Sequence, residues 1–152
     1  MDNVATQKIK RDVEYLAFSP EHLDLIDARA GQELFFAYRD RVKLQGQCGL
    51  ALTLVVDNAI VGCGGVVGNL PHVGELWMVC GKDFSKYQKT IFAMTKDFLK
   101  LLCRPYHRLE MSVLVGFDAG ERFAEALGFV PEGIKKRADP LGRDYTLYAK
   151  VR

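Results

Sequence analysis

The most informative stretch of the chain is Glu75-Leu76-Trp77-Met78-Val79-Cys80-Gly81-Lys82-Asp83-Phe84, which lies near its middle. Its first six residues are mostly apolar and predict a buried strand, and residues 81–84 predict a loop. Apolar side chains then recur at every third or fourth position from Tyr87 to Leu102, which predicts the clearest helix of the chain. Residues 108–115 alternate as a further strand. A strand, a helix and a strand in this order predict one right-handed crossover connection.

Shorter elements, separated by turn residues, are predicted on both sides of this unit. Before it we expect a strand, two helices and a hairpin, at residues 13–18, 19–26, 31–47, 49–57 and 59–68. After it we expect a short helix and a final hairpin, at residues 118–127, 132–138 and 144–151. This order mixes hairpins with one crossover. It predicts an α+β domain, a mixed α/β sandwich, over residues 13–152 behind a tail of residues 1–12.

Composition excludes several classes of protein. The 152 residues include 21 Lys and Arg against 19 Asp and Glu, a net charge of +2. That balance argues against a nucleic-acid groove or a surface for anionic membranes. The longest apolar stretch is far too short to span a bilayer, and the N-terminus lacks the apolar core of a signal peptide. We therefore expect a cytoplasmic protein that binds neither nucleic acid nor membrane.

The four cysteines, Cys48, Cys63, Cys80 and Cys103, are far apart in the chain. None of their spacings matches the short spacing that zinc ligands usually have. Two of them, Cys63 and Cys80, lie in apolar runs, where buried thiols are common. We therefore expect no metal site and four reduced thiols.

The loop after the buried strand is the first candidate site. A loop that leads into a helix N-terminus presents backbone N–H groups and a positive dipole end, which favour phosphate. Gly81 permits tight backbone geometry, and Lys82, Lys86 and Lys89 would supply countercharge. A plain loop with solvated lysines explains the same residues, because no phosphate-binding glycine motif occurs. Both interpretations stay open on the local sequence.

The end of the chain carries the most specific resemblance to a known family. The order of elements and the segment Leu127-Gly128-Phe129-Val130-Pro131-Glu132-Gly133 resemble the GNAT acyltransferase family, and the resemblance extends over residues 13–152. The segment Val113-Leu114-Val115-Gly116, together with Arg122-Phe123, is most similar to the small GNAT-like proteins of short-tailed bacteriophages. The resemblance implies a central twisted mixed sheet of about seven strands with four helices, in which two neighbouring strands splay apart.

The same resemblance implies acetyl-CoA as the cofactor, held in the gap between the splayed strands. The strand before the gap would line the pantetheine arm, and the loop after it would hold the pyrophosphate. The cofactor-binding residues implied in this way are Met78, Val79, Cys80, Gly81, Lys82, Phe84, Ser85, Lys86, Tyr87, Phe117 and Phe123. The loop departs from the family pattern because it has a single, early glycine. Phosphate binding would therefore depend on Ser85 and the lysines.

By the same resemblance, an acceptor amine attacks the thioester directly in a ternary complex. A backbone N–H near Val79 would stabilise the oxyanion. Glu75, on the strand beside the gap, is the first candidate general base, and an exposed carboxylate at the end of a strand is the alternative interpretation. His72, in the loop before that strand, is the second candidate base. His107 is set aside because it follows the far end of the long helix.

The general acid has to come from another position than in most of the family. A tyrosine four residues before the glycine of the Leu-Gly-Phe segment often protonates the leaving thiolate, and Ala124 stands at that place. Tyr145 on the last strand is the candidate replacement, with Tyr87 and Tyr148 as alternatives. All three could equally be packing residues.

Two functions are consistent with these residues. The first is acetyl transfer from acetyl-CoA to an amine, which would be a protein lysine, an N-terminus or a small molecule. The second is a catalytically weak or inactive binding protein of the same fold, encoded by a phage and docking on a host enzyme in the host cytoplasm. The glycine-rich strand at residues 59–68 favours the first function, and Ala124 favours the second. A homodimer is an expectation for either.

Overall fold

The computed structural model of the protein describes residues 11–27, 32, 39–101 and 103–152. The strands are β1 (Val13–Ala17), β2 (Leu50–Val56), β3 (Ala59–Leu70), β4 (Val73–Cys80), β5 (Arg108–Leu114), β6 (Val130–Lys135) and β7 (Tyr145–Val151). The helices are a 3-10 helix (Pro20–Leu25), α1 (Arg39–Cys48), α2 (Phe84–Leu101) and α3 (Asp118–Ala126). Within the described residues, no helix is long and apolar enough to cross a membrane. The predicted mixed α+β class is confirmed.

Two antiparallel groups of strands make up one sheet, in the order β1-β2-β3-β4-β5-β7-β6. Strands β1 to β4 pair with one another in sequence, and β7 pairs with both β5 and β6. The groups are joined by β4 and β5, the parallel pair that the crossover helix α2 connects. Register pairs between these two strands are confined to the first three residues of each, and the last joins Glu75 to Glu110. Beyond that pair the two strands diverge.

Strand alternation sets the two faces of β4 against different layers. Cys80 packs with Phe84 and Ile91 of α2. The neighbouring Val79 packs instead with Leu23 of the 3-10 helix, in a cluster that α1 also contacts. Helices α2 and α3 therefore cover one face of the sheet, and the 3-10 helix and α1 cover the other.

The long helix follows the predicted apolar period, whereas the second predicted helix is described only in part. Phe84, Ile91 and Leu99 of α2 are buried, as a stripe facing the sheet requires. Leu102, the last residue predicted for this helix, lies outside the described residues. The helix predicted over residues 31–47 appears as α1 (Arg39–Cys48), and residues 31 and 33–38 also lie outside the described part.

The final hairpin begins earlier than the sequence predicts. Gly128 has a φ of +87° and ends α3, and its N–H donates to the carbonyl of Glu125 at 2.9 Å. The chain leaves this glycine directly into β6, which starts at Val130 rather than at residue 132. Pro131 is tolerated there because β6 is an edge strand, and an edge strand has one side without a ladder.

The tail predicted for residues 1–12 packs on the domain at its described end. The guanidinium of Arg11 lies over the ring of Tyr87 at the start of α2, 4.7 Å from the ring centroid. The N–H of Asp12 donates to the carboxylate of Asp57 at 3.0 Å. Residues 11 and 12 therefore extend the contacts of β1 rather than ending them.

Candidate functional site

A cavity of about 370 Å³ opens where β4 and β5 diverge. Its lining is predominantly apolar and comes from β2, β3, β4, β5, β7, α1, α2 and α3. Phe84 and Phe123 line it on the face that carries α2 and α3, and Trp77 and Tyr145 line it as well. Because alternate residues of a strand face opposite sides, this set shows that the cavity passes through the gap in the sheet. An extended, mostly apolar ligand would fit such a gap.

The edge of β4 that faces the gap carries polar backbone groups. The N–H of Gly81 donates to the carbonyl of Val61 at 2.9 Å, toward β3. In an antiparallel ladder alternate residues point to opposite sides, so the groups of Cys80 and Met78 point into the gap. In the gap, the side-chain amide of Gln32 forms hydrogen bonds with the backbone of both Cys80 and Met78. Its Oε1 accepts from the N–H of Cys80 at 2.8 Å, and its Nε2 donates to the carbonyl of Met78 at 2.9 Å.

Sequence reasoning missed Gln32 because a single glutamine before α1 belongs to no motif. The two backbone groups that it binds are equally invisible in the sequence, since every residue of a strand has them. Near Val79, the backbone N–H groups that face the gap are those of Met78 and Cys80, because the ladder turns the N–H of Val79 toward β3.

Several backbone N–H groups in the loop between β4 and α2 already donate hydrogen bonds within the chain. The N–H of Lys82 donates to the carbonyl of Asp27 at 2.8 Å. The N–H groups of Phe84 and Lys86 donate to carbonyls within the loop, at 3.0 Å each. An anion at this helix start would therefore find fewer free donors than a helix N-terminus ordinarily presents.

The lysines of this loop also have partners. Lys82 pairs with Asp27 and Lys86 pairs with Asp83, each at 3.0 Å. All four side chains are mostly exposed, so the pairs are weak, but each carboxylate offsets a charge that phosphate would use. Arg11 brings a further positive charge to the start of α2.

The predicted cofactor-binding residues divide into two sets. Those that line the cavity are Met78, Val79, Cys80, Phe84, Phe117 and Phe123. Those that belong to the loop or the first turn of α2 and lie outside the lining are Gly81, Lys82, Ser85, Lys86 and Tyr87. The division follows the boundary between the gap and the loop.

Tyr145, the candidate acid, lines the cavity together with Arg143. Its hydroxyl donates to Asp139 at 3.0 Å. Burial, followed by this hydrogen bond, raises the pKa of Tyr145, so the phenol stays protonated. Burial opposes ionisation of Asp139, but hydrogen bonds from Arg143 and Tyr145 outweigh it and lower the pKa of Asp139 to about 2. A charged carboxylate therefore orients a neutral phenol at the cavity.

Glu75, the first candidate base, lies at the end of the paired part of β4. Its side chain is half-buried and accepts a hydrogen bond from Asn69 at 3.1 Å. It does not line the cavity, but it is two positions before Trp77 and therefore on the same face of the sheet. A water molecule would be needed to connect its carboxylate to a group in the gap.

His72, the second candidate base, is not brought to the cavity. It lies in the turn before β4, whose eight residues extend roughly 25 Å to the other end of the strand. Its Nδ1 is 2.9 Å from the carbonyl of Pro105, and its ring stacks on His107 with centroids 5.9 Å apart. His107, which the sequence analysis sets aside as remote, is thus the neighbour of His72, because the parallel strands β4 and β5 start at the same edge.

The position of the missing tyrosine lies inside the core. Ala124 is fully buried, in a cluster with Val66 and Leu99, and the adjacent Phe123 faces the cavity instead. Neither residue carries an ionisable group. Helix α3 therefore contributes packing and shape to the cavity.

The described cysteines are buried free thiols, namely Cys63, Cys80 and Cys103. Burial raises the pKa of Cys63 and of Cys103 to about 11, which keeps both protonated. The side chain of Cys48 lies outside the described residues. No cluster of metal-binding side chains occurs among the residues that the structure describes.

The chain has the fold of the GNAT acetyltransferases. A GNAT-family acetyltransferase from Bacillus anthracis superimposes with a TM-score of 0.65 at 18% identity, over 93% of this chain and 96% of that one. A chimeric spermidine N-acetyltransferase that is partly from Vibrio cholerae has a TM-score of 0.70 at 14% identity, over 91% and 95%. A ribosomal-protein-S5-alanine acetyltransferase from Vibrio fischeri has a TM-score of 0.61 at 16% identity, over 91% and 92%.

These likenesses establish a shared fold, since one fold hosts many functions and the identities are low. No protein-family model and no curated protein matches the sequence. The splayed strands that the resemblance implies are present, as is the seven-stranded mixed sheet. The narrower resemblance to phage proteins stays a prediction.

Proposed function

We propose that the protein is an N-acyltransferase that transfers the acetyl group of acetyl-CoA to an amine. The observation that carries this proposal is the divergence of β4 from β5 around an apolar cavity. The volume of about 370 Å³ is within the range of small-ligand sites. The edge of β4 offers a hydrogen-bond donor and an acceptor to an extended amide. Both features suit the amide-containing arm of acetyl-CoA.

Acetyl-CoA supplies an acetyl group activated as a thioester, so that a C–N bond forms with the acceptor amine while the C–S bond breaks. The N–H of Met78, which points into the gap on the same side as its carbonyl, is the proposed donor to the thioester oxygen, where negative charge develops. Glu75 is the proposed base and takes a proton from the amine through water. Tyr145 is the proposed acid: its hydroxyl turns from Asp139 toward the departing sulfur and gives it the proton, and the proton lost by the amine then restores the phenol through solvent.

The acceptor is a protein lysine, an N-terminus or a small amine. Spermidine and a protein alanine are the substrates that the names of two structural neighbours give, and both present an amine. Amines of very different size are thus compatible with one fold. A screen of CoA release would use spermidine, a peptide with N-terminal alanine and a lysine peptide as its first three acceptors.

Thermal unfolding with and without acetyl-CoA tests the donor site. A ligand at about a hundred times its dissociation constant stabilises a protein of this size by roughly 2.7 kcal/mol, a shift of about 5 to 10 °C. We expect a shift of that order with acetyl-CoA. The absence of any shift at millimolar acetyl-CoA would contradict the proposal.

Two substitutions with matched controls test the catalytic residues. We expect Tyr145→Phe to lower turnover by about a hundredfold, the lower range for general acid catalysis, with acetyl-CoA binding retained. Tyr148→Phe is its control, because Tyr148 is on the same strand but donates to Glu125 and does not line the cavity.

We expect Glu75→Gln to lower turnover similarly, with the exposed Glu14→Gln as control. Full turnover in either test variant would remove that residue from the mechanism.

A second candidate function is a binding protein with weak or no catalysis, possessing the same cavity. The loop before α2 favours it, because its N–H groups and lysines already have partners within the chain. The buried Ala124 favours it as well. This function predicts no stabilisation by acetyl-CoA and no CoA release with any amine. Docking of such a binding protein on a host enzyme during phage infection is a separate proposal.

A further inference from the structure

The gap between β4 and β5 contains a side chain that imitates a peptide group. The terminal amide of Gln32 accepts from the N–H of Cys80 and donates to the carbonyl of Met78, at 2.8 and 2.9 Å. These are the hydrogen bonds that a neighbouring strand would make with this edge of β4. Met78 and Cys80 belong to the part of β4 that has no register pair with β5.

From this geometry we infer that Gln32 competes with the donor substrate for the edge of β4, so that acetyl-CoA binds only by displacing its amide. The inference rests on the proposed function, because it assigns the edge to the amide-containing arm of acetyl-CoA. Gln32 then acts as a specificity-determining residue. It favours ligands that restore both hydrogen bonds over ligands that restore one or neither.

The competition follows from the number of hydrogens available. The N–H of Cys80 has one proton and makes one good hydrogen bond, which Gln32 now accepts. A ligand oxygen at that N–H requires the Oε1 of Gln32 to leave. Cys80 is buried, so an N–H left without an acceptor is costly, and a ligand without a suitable oxygen gains nothing by entering.

Measuring the affinity for two probes in Gln32→Ala and in the unmodified protein tests the inference. The probes are acetyl-CoA and adenosine 3′,5′-bisphosphate, which has the nucleotide part of the cofactor but no amide-containing arm. We expect Gln32→Ala to bind acetyl-CoA about five- to tenfold more tightly, because two hydrogen bonds of ordinary net strength no longer have to be exchanged. The affinity for the bisphosphate is expected to stay the same.

Gln47→Ala is the matched control, since Gln47 is an exposed glutamine of α1 that does not line the cavity. Its affinity for acetyl-CoA should equal that of the unmodified protein. Hydrogen exchange at the amide of Cys80 gives an independent readout, and Gln32→Ala should accelerate it in the absence of ligand.

The outcomes separate this inference from the proposed function. Equal or weaker acetyl-CoA binding by Gln32→Ala, with clear binding by the unmodified protein, overturns the competition and leaves the acyltransferase proposal intact. A higher affinity of Gln32→Ala for both probes also overturns the competition, because the bisphosphate does not bind at the edge of β4. If neither protein binds acetyl-CoA at millimolar concentration, the proposed function and the competition both fail.

Discussion

The gap between β4 and β5 and the loop that follows β4 meet at Gly81, yet they differ in what they leave to a ligand. In the gap, the edge of β4 is covered by one side-chain amide, which can rotate away. In the loop, backbone carbonyls hold the N–H groups, and aspartates hold the lysines. Displacing a backbone carbonyl requires the chain itself to move, whereas displacing Gln32 requires only a rotamer change.

This difference indicates which part of acetyl-CoA would provide the affinity. The arm and the acetyl group would be bound by an apolar cavity and by the edge of β4 after Gln32 has rotated away, while the phosphates would meet a loop whose N–H groups and lysines already have partners. We therefore expect S-acetylpantetheine, which has the arm and the acetyl group but no phosphate, to stabilise the protein almost as much as acetyl-CoA at equal concentration. A large preference for acetyl-CoA would mean that the loop binds phosphate in spite of its internal partners.

The largest effect is expected from filling the gap. Met111 of β5 is half-buried and lines the cavity, and Met111→Trp would place an indole in the space that an extended ligand needs. We expect the affinity for acetyl-CoA to fall at least about a hundredfold and the thermal shift to vanish. Leu101→Trp is the control, because Leu101 is 63% exposed at the end of α2. Undiminished binding by Met111→Trp would locate the ligand elsewhere.

A second test perturbs strand β3, which forms one side of the gap. A Cβ at Gly65 would lie 2.2 Å from the carbonyl oxygen of Leu50 and 2.8 Å from the Cα of Ala51, both backbone atoms that cannot yield separately. We expect Gly65→Ala to lower the free energy of unfolding by about 3 kcal/mol, as measured by urea denaturation. Gly68→Ala, whose Cβ would come no closer than 3.5 Å to Tyr106, should change it by less than about 1 kcal/mol.

A smaller effect is expected from releasing a charge in the loop. Asp27→Asn removes the carboxylate that pairs with Lys82 and keeps the backbone carbonyl that holds its N–H. We expect adenosine 3′,5′-bisphosphate to bind about twofold more tightly at low salt, and the gain to disappear at high salt. Asp24→Asn, whose carboxylate pairs with Arg39 and Lys43 of α1, should leave the affinity unchanged. A salt-independent gain would point to a rearranged loop instead.

The smallest effect concerns acid stability at the Tyr145 side of the cavity. Because the pKa of Asp139 is lowered to about 2 in the folded chain, its carboxylate stabilises the fold above pH 4 or so. That contribution is lost as the pH falls through about 2. Asp139→Asn should therefore be less stable at neutral pH and should lose less stability between pH 4 and pH 2. Parallel acid profiles for the two proteins would contradict this assignment.

The sheet and the long helix could be predicted because their signals are local and repeated. The period of α2 and the alternation of β5 each extend over several residues, so single exceptions do not obscure them. The order of elements then restricts the topology to hairpins and one crossover. The early start of β6 was missed because Pro131 argues against a strand wherever its edge position is unknown.

The candidate site was only partly predictable for a different reason. Sequence shows that a loop has N–H groups, but not that carbonyls such as that of Asp27 already accept from them. It also gives no sign that Gln32 reaches β4, which lies more than forty residues further along the chain. The position of His72 beside His107 could have been predicted, since parallel strands start at the same edge and the argument that sets His107 aside applies equally to His72.

The three register pairs between β4 and β5 have a consequence for cooperativity. They are the only strand pairing, among the described residues, that joins the meander of β1 to β4 to the group of β5, β6 and β7. With so short a seam, the two groups are coupled mainly through the core that Val66 of β3 shares with Leu109 of β5. We expect native-state hydrogen exchange to resolve two units with different free energies of opening. A ligand in the gap would contact both groups and couple them. The two opening free energies should converge when the gap is filled.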